Sequence, residues 1–450
     1  MDNDWAYNEV WTARLWDERC RNSVCRACQL LAENAGLSLS RTLGSLRKSI
    51  SRIFHHEKTT PQDLLAGHIG ATSVRCQNVP WVLIASDTSF FNFTSHSALE
   101  GLGPIGDGNA RGFLVHSALA IDPEGIPLGV LSQKSWVREE AQKGQAKQRR
   151  KRNFQDKESA KWLTALRDVE NALPEGTRAL LIQDREADVF DFFAAQRRPG
   201  IDLLIRVAQA HRVVIIGDQR SNVYDAVMAA PVETTLSVTV GAKPGQKERE
   251  ASLSIRRVWV QVCPPHNAVG PKPAPIGLWV VAATEATPPE GVEAIEWILL
   301  TTCAVPDAAT ASLLVGYYAR RWLIERFHYV LKSGLGFERL QVDTLVGLQK
   351  ALSLFTIVAW RLLFLLYLAR NKPHAPAEAA VSFLEKQVLE QMQGQPLDTV
   401  AEVVMAVARL AGFRPVPSAA VPGVKSLWLG WRKLADVLVG YQLALSRPSP

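Results

Sequence analysis

The pattern that most constrains the fold is a series of short apolar runs between residues 81 and 184. Four of these runs have the length of strands: 82–85, 113–121, 127–131 and 178–184. Only a Pro-Glu-Gly turn at residues 123–125 separates the second from the third, which predicts an antiparallel hairpin. Helical spacing over residues 157–173 precedes the fourth run. The order strand, strand, strand, helix, strand predicts an α/β domain with a mixed sheet.

The 450 residues are enough for about three domains. Helical spacing predicts a small helical domain over residues 1–70, and the apolar runs place the α/β domain at residues 71–370. A β-rich insertion at about 207–299 interrupts it, because apolar residues alternate there, as at Leu236, Val238 and Val240. Residues 371–450 are again helical. With 47% hydrophobic and 21% charged residues, the composition excludes a disordered or fibrous chain.

Positive charge is concentrated in two segments. From Arg19 to Lys58 there are eight Lys or Arg residues and two acids, Glu33 and Glu57; the run 143–152 has six basic residues and no acid. A net charge of +7 favours polyanionic partners. Each segment has two interpretations, a solvated surface or loop and a surface that binds a nucleic-acid backbone.

The six cysteines and one apolar stretch bear on the compartment. We expect a reducing cytoplasm, since the chain opens without a basic-then-apolar signal region. The Cys25-x-x-Cys28 pair, even with Cys20, His55 and His56, has poor spacing for zinc because the cysteines fall in one continuous helix.

Residues 351–369 are apolar enough to span a membrane, but Arg361 lies at their centre. We interpret this stretch as a buried core helix, and we expect no membrane partner. The last helix carries an apolar stripe that packs either on its own domain or on a partner subunit: Leu427, Trp431, Leu434, Leu438 and Tyr441.

The segment 318–332 is the most informative in the chain. On a continuous helix at 100° per residue, Tyr318, Arg321, Glu325 and Lys332 lie within a stripe about 60° wide. Apolar side chains occupy the opposite face: Leu323, Phe327, Val330 and Leu331. The simplest interpretation of the polar stripe is a solvated surface with an ordinary ion pair between Arg321 and Glu325.

Two further acids favour a functional interpretation. Asp87 and Asp184 each follow a buried apolar strand, where a carboxylate is costly to desolvate unless a positive charge neutralises it. A divalent cation does this well, because hard cations prefer oxygen ligands. Together with Glu325, these residues are candidates for a metal site.

Three blocks of the sequence resemble the signature blocks of bacterial DDE transposases of the YREK group, the cut-and-paste enzymes of insertion sequences and composite transposons. They are Asp87-Thr-Ser, Asp184-Arg-Glu-Ala-Asp, and the series Tyr-x2-Arg-x3-Glu-x6-Lys from Tyr318 to Lys332. The resemblance implies an RNase H-like mixed-sheet core with an inserted β-rich subdomain, flanked by an N-terminal helical DNA-binding domain and a C-terminal helical dimerisation domain.

By this resemblance, Asp87, Asp184 and Glu325 form a catalytic triad that holds two Mg²⁺ ions, for which Mn²⁺ can substitute. Residues implied to contact DNA are Tyr318, Arg321, Lys332, Trp297 and Arg206, of which Trp297 would stack on a flipped base unless it is a core tryptophan. Residues implied to support the acids are Arg185, Glu186, Asp188 and His116, of which His116 could also be an ordinary core histidine. Which of Arg41, Arg47, Lys48 and Arg52 would read bases stays open.

The implied function is cleavage of transposon ends and their joining to target DNA by a bacterial protein that acts in the cytoplasm, on the nucleoid. The implied partners are double-stranded terminal repeats, target DNA and a second copy of the chain in a synaptic complex. Two alternatives stay open: an RNase H-like nuclease without strand transfer, and a non-catalytic DNA-binding repressor descended from a transposase.

Overall fold

The computed structural model describes residues 5–106, 108–139, 157–240, 249–266, 273–416 and 421–445. The basic run 143–152 lies outside these ranges, so both of its interpretations stay predictions.

The strands of the described residues are β1 Val82–Asn92, β2 Gly103–Pro104, β3 Arg111–Ile121, β4 Pro127–Trp136, β5 Ala179–Gln183, β6 Ile201–Arg206, β7 Val213–Ile216, β8 Gln219–Asn222, β9 Thr234–Val240, β10 Arg249–Val262, β11 Ile276–Glu285 and β12 Glu296–Thr301. The α-helices before the insertion are α1 Trp5–Val10, α2 Glu18–Glu33, α3 Leu39–Leu43, α4 Arg47–His55, α5 Pro61–Gln77, α6 Ala160–Ala172 and α7 Phe190–Ala194. The later helices are α8 Val223–Met228, α9 Ala308–Ala319, α10 Trp322–Tyr329, α11 Leu345–Asn371, α12 Phe383–Gln393, α13 Val400–Leu410 and α14 Val424–Leu445.

Five neighbouring strands form the centre of the sheet, in the order β4-β3-β1-β5-β6. Strand β1 is antiparallel to β3 and parallel to β5, and β5 is parallel to β6. Helix α6 provides the crossover between the antiparallel strands and β5. This arrangement confirms the predicted α/β class and is consistent with an RNase H-like transposase core.

The β-rich segment extends the same sheet instead of forming a separate layer. Strand β12 pairs antiparallel with β6, and β11, β10, β7 and β8 follow in order, with β9 beside β10. The long strand β10 serves both faces of the sheet: Leu253 and Ile255 join one apolar core, whereas Val260 and Val262 join the other. The change of phase between these pairs explains why the sequence shows two separate alternating runs.

Alternating residues of the central strands face two different layers of helices. On β1, Val82 and Ile84 pack with α6, while Leu83 and Ala85 face the layer that contains α10 and α11. The apolar helix α11 meets the length and hydropathy of a membrane span, but 89% of its most apolar window is buried inside the protein. Arg361 donates to the backbone oxygens of Ala379 and Ala380 at 3.1 and 3.0 Å. These contacts agree with the prediction of a core helix.

The N-terminal helices pack directly on α11. The Lys350 Nζ donates to the backbone oxygens of Phe54 and His56 at 2.8 Å each, where α4 ends and its last carbonyl groups lack helical partners. Helix α5 continues through the predicted domain boundary at residue 70. All three N-terminal cysteines lie in α2 as predicted, and no cluster of His, Cys, Asp or Glu that could hold a metal occurs within the described ranges.

The C-terminal stripe packs on its own chain. Leu427, Trp431 and Leu434 of α14 are buried in the core that also contains α13, α2 and α11. Leu438 and Tyr441 are half-buried against the same core. Of the two interpretations of this stripe, packing on its own domain is the one that these contacts favour, and the C-terminal dimerisation domain stays a prediction.

Candidate active site

Asp87 lies within β1 and not at its end, which corrects the expectation from the sequence. Strand β1 continues to Asn92 because its ladder with β3 continues, with Asp87 opposite Ser117. The parallel ladder with β5 stops earlier, at Ala85 and Ile182. Asp87 thus lies two residues beyond the last pair between β1 and β5, so no strand pairs with its backbone on that side.

Asp184 directly follows β5 and begins a short 3₁₀ turn at Arg185–Ala187. Its Oδ1 accepts a hydrogen bond from the Glu186 backbone N–H at 2.9 Å, which fixes the side chain at the strand end. Asp87 and Asp184 continue the alternation of Leu83 and Ala85 on β1 and of Leu180 and Ile182 on β5. Both carboxylates therefore project toward the face covered by α10.

The segment from Tyr318 to Lys332 is not one helix, so the single polar stripe predicted from the sequence is wrong. Tyr318 lies near the end of α9, Arg321 lies in the break before α10, and Glu325 lies on α10. Lys332 lies in a π-helical turn at Val330–Gly334. The break and the wider turn change the angular relation of the four side chains, yet the first three remain in contact.

Arg321 connects the three acids. Its Nη2 lies 2.7 Å from the Glu325 Oε1, and its guanidinium also attracts the carboxylates of Asp87 and Asp184. Burial alone would lower the pKa of Arg321, but Tyr318, Glu325 and Asp184 raise it overall. Carboxylates from a strand, a strand end and a helix therefore lie within electrostatic range of one guanidinium.

The two strand acids differ in their protonation energetics. Burial raises the pKa of Asp184, and the nearby carboxylates of Asp87 and Glu186 add to the increase. For Asp87, burial also favours the neutral form, but a hydrogen bond and the charge of His328 and the charge of Arg321 lower its pKa overall. The two carboxylates therefore repel each other, and Arg321 offsets this repulsion only in part.

This donor set fits a divalent cation by its chemistry. Carboxylate oxygens are the ligands that hard cations prefer, and the electrostatic stress on Asp184 is what a cation would relieve. Within the described part of the chain, no three His, Cys, Asp or Glu side chains already lie close enough to hold a metal ion. The carboxylates are instead neutralised in part by Arg321.

The other residues predicted to contact DNA lie beside the acids. Tyr318 is buried, and its ring centre lies 5.5 Å from that of Trp297 in an edge-on contact. Arg206 interacts with Tyr318 and donates to the Glu296 backbone oxygen at 3.0 Å. Trp297 is half-buried against the core, so both of its interpretations stay open.

Lys332 lies beside β1, within electrostatic range of Asp87. Its ammonium group is 5.3 Å from the centre of the Phe91 ring on β1. Burial lowers its pKa, although the carboxylates of Glu338 and Asp87 partly oppose this. A partly desolvated ammonium group next to the acids is suited to contact a phosphate.

The residues predicted to support the acids have different surroundings. His116 is buried next to Asp87, its Nδ1 lies 2.9 Å from the Thr88 Oγ1, and burial lowers its pKa to about 3. Glu186 pairs with Lys161 at 2.8 Å. Burial lowers the pKa of Arg206, and the positive charge of Arg185 adds to the decrease.

Asp188 is engaged away from the other acids. It lies 2.7 Å from an Arg212 nitrogen, and its Oδ2 accepts from the backbone N–H groups of Ala208 and Gln209 at 2.8 and 3.0 Å. These contacts fix the loop after β6.

Two residues of the site were missed from the sequence. The Gln183 side chain is buried and bridges β5 to β1: its Oε1 accepts from the Ser86 N–H at 3.1 Å, and its Nε2 donates to the Ser86 Oγ at 3.2 Å. It joins the residues that immediately precede the two strand acids. His328, three residues after Glu325, contacts Asp87; its helical spacing from Glu325 was the available signal.

Residues 142–361 match the family model described as "Transposase DDE domain". The match includes Asp184, the segment from Tyr318 to Lys332 and the β-rich extension, and it begins after Asp87. It supports a DDE transposase family for this chain and, with it, a transposase function. Transposases of this kind generally use divalent metal ions and act on DNA.

Proposed function

We propose that this protein is a cut-and-paste DNA transposase of the YREK group, with Asp87, Asp184 and Glu325 as its catalytic acids. The observation that carries the proposal is that Arg321 pairs with Glu325 at 2.7 Å while Asp87 and Asp184 lie within electrostatic range of the same guanidinium. The first and the third acid are far apart in the sequence, so an ordinary surface ion pair between Arg321 and Glu325 does not account for the two strand acids. The identification of a DDE domain supports the same assignment.

Two Mg²⁺ ions held by these acids, or Mn²⁺ in their place, would supply Lewis-acid activation of a phosphodiester and of its attacking hydroxyl group. In the cleavage step, a water oxygen forms a bond to phosphorus while the bond to the 3′ oxygen breaks. In the joining step, the 3′-OH of the cut end attacks a target phosphodiester in the same way and displaces a target 3′ oxygen. Both steps place negative charge where Asp87 and Asp184 alone would repel it.

The basic residues around the acids hold the DNA in this proposal. Arg321 offers a planar fork of donors and Lys332 a point charge, so each can hold a phosphate near the acids. Tyr318, Trp297 and Arg206 form one contiguous group beside Arg321, suited to the end of a DNA strand. The basic N-terminal helices are assigned to terminal-repeat binding, and two copies of the chain to the synaptic complex.

The first prediction concerns the three acids. Asp87→Ala, Asp184→Ala and Glu325→Ala should each reduce cleavage of DNA that carries the element's ends by at least about a thousandfold, while leaving DNA binding within about threefold. Exposed Glu175→Ala is the matched control and should cleave normally. Cleavage is measured on DNA flanking the gene in Mg²⁺, and binding by gel shift. Normal cleavage by any of the three variants would remove that residue from the assignment.

A joining assay separates the proposal from its alternatives. Pre-cut ends incubated with the protein, Mg²⁺ and a plasmid should give a covalent end-to-target product. Cleavage without joining would identify a nuclease, and binding that ignores Mg²⁺ with no nicking would identify a repressor.

A further inference from the structure

His328 lies buried between α10 and β1, next to the first candidate acid. It is 5% exposed, and its Nδ1 lies 3.5 Å from the Asp87 Oδ2. The neighbouring Ile324 and Phe327 are fully buried, so the ring is confined by the packing of α10 on β1. Because a carboxylate only accepts hydrogen bonds, Nδ1 is the donor in this contact.

A purely structural histidine in the same protein has a different environment. His68 is completely buried, and both of its nitrogens have partners: Nδ1 lies 2.5 Å from the Glu9 Oε2, and Nε2 accepts from the Val130 N–H at 3.0 Å. The Nε2 of His328 is buried without a hydrogen-bond partner among the described residues. Because Nε2 has no partner, the contact of Nδ1 with Asp87 is the polar contact of this ring among the described residues. Leaving a buried nitrogen unpaired is costly, and no second hydrogen bond offsets that cost here.

The position of His328 on its helix explains what this contact can do. Glu325 and His328 are three residues apart on α10, so one helix carries the third acid and also contacts the first. On the other side of β1, His116 contacts Thr88, the residue after Asp87. The strand is therefore held at this point from the helix and from its β3 neighbour.

We propose that His328 is a positioning residue that orients the Asp87 carboxylate toward a divalent cation and fixes its distance from Glu325. This inference rests on the proposed function, because it takes Asp87 as a metal ligand. Residues that hydrogen-bond metal ligands typically change metal affinity by about 10- to 100-fold when they are removed.

The test uses direct binding of Mn²⁺ to the full chain without DNA, measured by calorimetry, for the wild type and four variants, one of which is Asp87→Ala. His328→Leu keeps the volume but removes the donor, and it should weaken Mn²⁺ binding by about tenfold or more. His328→Asn places an amide N–H near the position of Nδ1, and it should restore binding to within about threefold of the wild type. His374→Leu, at an exposed histidine, is the matched control and should bind like the wild type.

The Mg²⁺ concentration for half-maximal cleavage of end-containing DNA provides a second readout, and it should rise in the same order. Equal losses in His328→Leu and His328→Asn, together with equal losses of thermal stability, would show that the ring only fills space and would overturn the inference. Unchanged Mn²⁺ binding in His328→Leu would overturn it as well, while leaving the proposed function intact if Asp87→Ala abolishes binding. A wild-type protein that binds no Mn²⁺ would instead remove the proposed function, and this inference with it.

Discussion

At the scale of single residues, Arg321 holds the charge balance of the candidate site. Its guanidinium is largely buried, pairs with Glu325 and lies within electrostatic range of the two strand acids. A buried positive charge surrounded by carboxylates is stable only while the carboxylates stay charged, and the reverse also holds. The same site can therefore be stabilised by a divalent cation or by the arginine.

This balance gives a prediction for Arg321→Gln. Without the guanidinium, Asp87, Asp184 and Glu325 repel one another, so the metal-free protein should melt about 2–4 °C below the wild type. Saturating Mg²⁺ should raise the melting temperature of Arg321→Gln more than that of the wild type, because the cation replaces the lost charge. Thermal unfolding followed by circular dichroism, in EDTA and in Mg²⁺, measures both quantities. Arg339→Gln, at an exposed arginine of the 3₁₀ turn Phe337–Arg339, is the control. Equal shifts of the melting temperature by Mg²⁺ in Arg321→Gln and the wild type would contradict the explanation.

At the scale of secondary-structure elements, the N-terminal helices are joined to the core by buried polar contacts. Lys350 lies on α11 and is 2% exposed. Its ammonium group donates hydrogen bonds to two backbone oxygens at the C-terminal end of α4. Such a contact stabilises a helix end twice, through hydrogen bonds and through a positive charge at the negative end of the helix dipole.

Lys350→Met tests this contact, because methionine keeps most of the volume and removes the ammonium group. The change removes the ammonium donor from both carbonyl oxygens, of which the His56 oxygen still accepts from the Thr59 N–H, so we expect a loss of about 1–3 kcal/mol in the free energy of unfolding. Amide hydrogen exchange should increase first in α4, where the helix end opens. Urea unfolding and exchange mass spectrometry measure these effects, with the exposed Lys425→Met as control. Equal stability of Lys350→Met and the control would contradict the role of the lysine.

At the scale of the whole molecule, a buried polar network connects three regions of the chain. Glu9 on α1 contacts His68 and Arg75 on α5, and Arg75 donates from Nε to the Leu128 backbone oxygen of β4 at 2.5 Å. The Arg75 guanidinium also lies 4.2 Å from the ring centre of Trp360 on α11. The network joins α1 and α5 to strand β4 and to α11, and through β4 to the central sheet.

The network predicts a pH dependence. Burial lowers the pKa of His68 below its usual 6.5, although Glu9 opposes this. The folded state thus favours neutral imidazole, whereas the unfolded state takes up a proton near pH 6.5, so stability present above this pH is lost as the pH falls below it. His68→Gln should be less stable than the wild type at pH 7.5, and its loss of stability between pH 6.5 and 5 should be smaller. Urea unfolding at four pH values measures this; parallel curves for the two proteins would exclude His68 as the source.

The sequence by itself determined the α/β class, the succession of the central strands and their helix along the chain, and the two acids that follow buried apolar runs. These features depend on periodicity along the chain, with side chains alternating on a strand and recurring every three to four residues on a helix. A charged residue, Arg361, at the centre of the apolar stretch 351–369 correctly indicated that this stretch is a core helix.

Only the tertiary structure decided how these parts meet. Strand β1 passes Asp87 because β3 continues to pair with it, and the break between α9 and α10 places Arg321 against Glu325 and within electrostatic range of Asp184. The contact of His328 with Asp87 and the burial of the Trp431 face within one chain were decided in the same way. The physical reason is that such contacts join side chains far apart in the sequence, and their energies depend on packing and desolvation that no local pattern contains.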